Sequence, residues 1–96
     1  MIGEVVTMKN FYTEIDSITM TFNDIATTQD GMEYIRIYFE MPVEGGFNFL
    51  ESTLPALDIV ASEGFTAQEI NDLFDYARKN ACIIWELARE QHFCDE

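Results

Sequence analysis

The hydrophobic period of this chain changes from two residues to about 3.6 part-way along, which restricts the fold to strands followed by helix. Between Ile15 and Phe22, the residues Ile18, Met20 and Phe22 alternate with Ser17, Thr19 and Thr21, as in a half-buried strand. From Glu33 to Met41 the alternation is cleaner: Ile35, Ile37, Phe39 and Met41 make one face, and Tyr34, Arg36, Tyr38 and Glu40 the other. Thr27-Thr28-Gln29-Asp30-Gly31 supplies turn chemistry between them, with Gly31 able to take a positive φ. Two strands, 15–22 and 33–41, are expected to pair antiparallel.

Pro42-Val43-Glu44-Gly45-Gly46 is a second break, because proline cannot donate to a ladder and the glycines favour a sharp turn. The residues Phe47 to Glu51 read either as a third strand or as the opening of a helix. Pro55 suits the first turn of a short helix, so the reading adopted is strand 47–51, then helix 54–62 ended by Gly64. Thr66 and Glu69 then form a capping box, flanked by the Phe65–Ile70 staple, and open a helix over 67–90. Its apolar stripe is Ile70, Phe74, Ala77, Ala81, Ile84 and Ala88.

The expected class is α+β. A small antiparallel β-meander of two to three strands is followed by a short helix and a long C-terminal amphipathic helix packed on one sheet face. One domain spans 1–96. The long helix carries further apolar residues, Tyr76, Ile83, Trp85 and Leu87, which are covered by the short helix and Ile2 to Met8 or else meet a partner or a second copy. On the opposite sheet face Tyr34, Arg36 and Tyr38, with Thr19 and Thr21, form either a plain solvent face or a contact surface.

Composition decides which functions such a domain can have. The chain has 96 residues, 48% of them hydrophobic, and carries a net charge of −13 from eighteen acids against five basic residues. The acids are interleaved with apolar residues along the whole length, so the chain reads as folded rather than as an acidic disordered tail. A body so short of Lys and Arg is unsuited to direct binding of nucleic acid or anionic membrane, and suited to a basic protein. No apolar run approaches the ~20 residues of a membrane span, and Glu4 stands where a secretory leader would be basic, giving a soluble, cytoplasmic reading. Met8 is a plausible start in its own right; alternatively Ile2, Val5 and Val6 add an edge strand.

Chemistry-bearing motifs are sparse. Cys82 lies in a helical segment and Cys94 near the end of the sequence, a spacing unsuited to a structural disulfide. His92, Cys94, Asp95 and Glu96 are close in sequence, yet a zinc site needs about four well-spaced ligands, so no metal is expected. The lone His92 has no nucleophile held beside it, and Gly45-Gly46 lacks the spacing and lysine of a phosphate loop. No cofactor is expected, and the chain is read as not an enzyme.

The carboxylates themselves remain. Glu69, Asp72 and Asp75 precede Arg78, Lys79 and Arg89, the order a helix macrodipole favours, and Asp75 and Lys79 have the favourable i, i+4 order. That pattern needs no partner, but it does not require the excess elsewhere. The candidate protein-binding residues are Asp24, Asp30, Glu33, Glu40, Glu44 and Glu51 from that excess, which also includes Asp58 and Glu63, together with Asp72 and Asp75 of the helix. In size and charge the chain is similar to the small DNA mimics of phages and mobile elements that block restriction or CRISPR effectors. The resemblance carries no motif and no functional residue; it implies a nucleic-acid-mimicking inhibitor of a basic protein, a reading that expects the acids to converge on one face. The competing expectation is a self-associating structural or antitoxin-like domain, a homodimer built on Tyr76, Ile83, Trp85 and Leu87.

Overall fold

In the computed structural model, which describes residues 9–93, six strands precede a single helix. They are β1 (Asn10–Ile15), β2 (Ile18–Phe22), β3 (Ala26–Thr27), β4 (Glu33–Val43), β5 (Gly46–Leu54), β6 (Ala61–Glu63) and α1 (Ala67–Phe93). The sheet is antiparallel with spatial order β1-β2-β4-β5-β6, and β3 pairs with the start of β4. The class is thus α+β with a C-terminal helix, but the sheet is larger than the two to three strands expected.

The segment expected as one strand, 15–22, belongs to a hairpin. Asp16 and Ser17 turn the chain between Ile15 and Ile18 with φ of 54° and 69°. Positive φ at both central residues is the mark of a two-residue turn matched to strand twist, and Asp tolerates it better than most side chains. The apolar phase downstream stands: Met20 and Phe22 are buried. Upstream, the β1–β2 register slips between Phe11 and Thr13. The intervening Tyr12 packs against the core, its ring edge-on to Phe22 at 6.5 Å between centroids.

β4 and β5 form the centre of the sheet. Their register runs from Ile35 opposite Leu54 to Val43 opposite Gly46, with Gly45 at φ 87° in the turn. Ile35, Ile37 and Phe39 alternate into the core with Leu50 and Leu54, beside the fully buried Ser52. Strand 47–51 therefore extends at both ends, to Gly46–Leu54.

The short helix expected over 54–62 is absent. Leu54 is the last residue of β5, Pro55 follows through a cis peptide, and Ala61–Glu63 form β6 against Phe49–Glu51. Three hydrogen bonds to β5 hold the connection: Ser52 Oγ donates to the Asp58 carbonyl at 2.6 Å, the Leu57 N–H donates to the Thr53 carbonyl at 2.8 Å, and the Val60 N–H donates to the Glu51 carbonyl at 2.8 Å. Ile59 and Val60 are exposed, so the segment has no single apolar face on which a helix could rest. Gly64 consequently ends a strand rather than a helix, at φ 93°.

α1 begins where the capping box places it. The Glu69 N–H donates to Thr66 Oγ1 at 3.1 Å, and the Thr66 N–H donates to Glu69 Oε1 at 2.8 Å. Ala77, Ile84 and Ala88 are fully buried against the sheet, with Ile70, Phe74 and Ala81 packed beside them. Near its start the helix shares a cleft with Phe39, and near its end Arg89 reaches Glu33, so α1 runs antiparallel to β4. A helix of 27 residues is about 40 Å long and a strand of 11 about 36 Å, so one element spans the other. Among the described residues no helix is long and apolar enough to cross a membrane.

Candidate protein-binding surfaces

The candidate carboxylates occupy four regions. Asp24 and Asp30 lie in the connections around β3, with Glu33 opening β4 beside them. Glu44 sits in the β4–β5 turn at the opposite end of that strand. Glu40 and Glu51 point to the sheet face away from the helix, whereas Asp72 and Asp75 lie on α1. The eight therefore surround the molecule rather than line one side.

Half of them have a cation close by. Glu33 pairs with Arg89, Glu40 with Lys9, Glu51 with Arg36, and Asp75 with Arg78, at N–O distances of 2.6–3.4 Å. The Asp75–Arg78 pair takes the place of the Asp75–Lys79 pairing suggested by spacing. Asp24 accepts a weak bond from Asn10 Nδ2 at 3.3 Å, and Asp72 accepts from Gln68 Nε2 at 3.0 Å. Asp24, Asp30, Glu44 and Asp72 have no ion-pair partner among the described residues. Neither do most of the other acids, and these unneutralised groups set the sign of the surrounding field.

The helix-free sheet face holds Tyr34, Arg36 and Tyr38 together, with Thr19 and Thr21, as their alternation requires. All five are half-buried. The Lys9 ammonium lies 3.9 Å from the centre of the Tyr38 ring, Asn23 Nδ2 donates to Tyr38 Oη at 3.0 Å, and Arg36 Nη1 meets Glu51 Oε2 at 2.9 Å. Thr21 Oγ1 and Asn23 Oδ1, beneath this network, are buried without a hydrogen-bond partner among the described residues. Phe47 and Phe49 extend the same face along β5, and Phe11 extends it on β1; Phe11 and Phe47 are both more than 60% exposed. The sequence pattern missed these phenylalanines because the true ends of β1 and β5 were needed to phase them.

The second helical stripe is divided. Tyr76, Trp85 and Leu87 pack against the core cluster, and the Arg89 guanidinium lies 5.4 Å from the Trp85 ring. Ile83 is 49% exposed and stands apart from them, next to the exposed free thiol of Cys82. His92, Cys94, Asp95 and Glu96 fall outside the residues whose side chains are described, as do Ile2 to Met8. Among the described residues no group of three His, Cys, Asp or Glu side chains is placed to hold a metal ion.

Burial, reinforced by the neighbouring Tyr76, pushes the Tyr12 hydroxyl above the usual tyrosine pKa. That hydroxyl donates to Asn80 Oδ1 at 2.6 Å, and Asn80 Nδ2 donates onward to the Tyr76 carbonyl at 2.8 Å. The chain Tyr12–Asn80–Tyr76 ties the edge strand to the middle of the helix and is structural. No family model, no curated protein and no solved structure matches this chain.

Proposed function

We propose that this protein is a non-enzymatic acidic module that binds a basic protein, with nucleic-acid mimicry as a narrower form of that reading. The observation that carries the reading is the number of carboxylates left without a cation among the described residues of a small, folded body, where four of the five basic residues are already paired; their spread over several faces favours general binding over duplex mimicry, which calls for a single acidic face. Such a field accelerates encounter with a cationic surface and disfavours anionic ones. Because the acids are distributed around the molecule, the field supplies attraction and a local surface must supply orientation. The self-association reading rests on less: three members of the proposed stripe are packed on the core, leaving Ile83 to represent it.

The test is capture from a cell lysate on the immobilised protein at about 50 and about 300 mM salt, across which the screening length shrinks about 2.4-fold. A nucleic-acid-binding protein retained at the lower salt and displaced by DNA or RNA is the expected result. Retention that free nucleic acid does not disturb would remove mimicry and leave acidic binding. A protein that forms a stable homodimer and retains nothing basic would remove both.

A further inference from the structure

A single helix is about 10 Å wide, whereas five strands at about 4.8 Å spacing present a face roughly 20 Å across. α1 therefore covers the middle of the apolar sheet face, where Met20, Phe39 and Leu50 are buried, and leaves its margins, at Ile15 and Val43, open. Where the β1–β2 hairpin extends past the first turns of α1, the gap is a cleft of about 260 Å³. Thr13, Ile15 and Ile18 form its sheet wall above the buried Met20 and Phe39, and Leu73 and Tyr76 its helix wall. The rim is formed by Asp16 of the hairpin turn with Glu69 and Asp72 of the helix, and among the described residues no basic residue lines it.

The volume is small for a cofactor and suits one long side chain. The rim then decides which. A helix N-terminus ordinarily attracts anions, but here Glu69 and Asp72 already occupy that end and Asp16 faces it, so an anionic group would meet three carboxylates. A cation with an apolar stem satisfies both parts, since the stem lies along Ile18 and Leu73 and the head reaches the rim. Among cationic side chains, arginine alone offers a planar fork for carboxylates and a face that stacks on a ring such as Tyr76.

We propose that this cleft binds an arginine side chain presented by a basic partner protein. The proposal rests on the acidic-module reading and adds to it the point at which a partner is oriented. Neutralising Asp16 or Asp72 weakens this contact while leaving the general field almost unchanged.

The test titrates the full-length, nitrogen-15-labelled protein with acetyl-Ala-Arg-Ala-amide and, in parallel, with the same peptide carrying the neutral isostere citrulline. The arginine peptide should shift the amides of Ile18, Leu73 and Tyr76 saturably, and citrulline should not. The double variant Asp16→Asn, Asp72→Asn keeps the turn chemistry and should weaken binding about fivefold or more. Asp30→Asn with Glu44→Gln removes the same charge elsewhere and should change it less than twofold. Equal losses in the two variants, or shifts scattered over the surface, would overturn the cleft and leave the acidic-module reading standing. Nuclear Overhauser contacts from residues 1–8 into Leu73 and Tyr76 would overturn it too, by showing the cleft filled from within. Failure of both the peptide and the lysate capture would remove the two readings together.

Discussion

Tyr12 is held on an edge strand, where the β-bulge turns it toward the core and Asn80 Oδ1 accepts a hydrogen bond from its hydroxyl. Tyr12→Phe keeps the edge contact with Phe22 and removes one hydrogen bond, so unfolding in urea should show a loss of about 0.5–1.5 kcal/mol. The raised pKa of the hydroxyl adds a pH dependence whose sign is fixed. A group protonated more firmly in the folded state contributes its full stability below the ordinary tyrosine pKa of about 10, and that contribution is lost as pH rises through the folded value. Stability should therefore fall more steeply between pH 9 and 11 in the parent than in Tyr12→Phe, and parallel curves would place the hydroxyl in contact with water. None of this was legible in the sequence, because the bulge that aims Tyr12 breaks the alternation from which strands are read.

At the scale of elements, the joint between β6 and α1 has no room for a side chain at Gly64. Gly64 has φ 93°, and a Cβ there would collide with the Asn48 side chain of β5. Gly31 has nearly the same φ, 88°, with nothing within 4 Å of the same position. Gly31→Ala thus measures the backbone penalty alone, about 1 kcal/mol, and Gly64→Ala should cost distinctly more in thermal or urea unfolding. Asn48→Ala should recover the difference; equal costs at the two glycines would show that Asn48 moves aside freely. The helix beyond this joint was readable at its first turn, since Thr66 and Glu69 interact only with each other's backbone and a local signal suffices. The segment 54–62 was not, because what forms β6 is its pairing with Phe49–Glu51, a partner that local propensity does not contain. The candidate sites divide the same way. Tyr34, Arg36 and Tyr38 follow from alternation, whereas the cleft joins Asp16 to Glu69 and Asp72 and exists only after the hairpin has docked on the helix.

For the whole molecule, the uncompensated acids repel one another in the folded state and less so in the expanded chain. Added salt screens that repulsion, so raising sodium chloride from about 10 to about 150 mM should raise Tm while it weakens capture of a basic partner. The opposite signs separate intramolecular from intermolecular electrostatics in one titration, and a Tm indifferent to salt would show that the carboxylates are spaced beyond mutual influence. The order of the sheet has another consequence. Because β1, β2, β4, β5 and β6 lie side by side in the order in which the chain runs, every ladder is a local closure, and only the helix must return over a long distance. During synthesis the strands can pair before the helix is complete, leaving Met20, Ile37, Phe39 and Leu50 bare on a nascent sheet. Charge that has no partner in the finished protein then acts as a kinetic safeguard, keeping two such half-made sheets on neighbouring chains from meeting before each has its own helix.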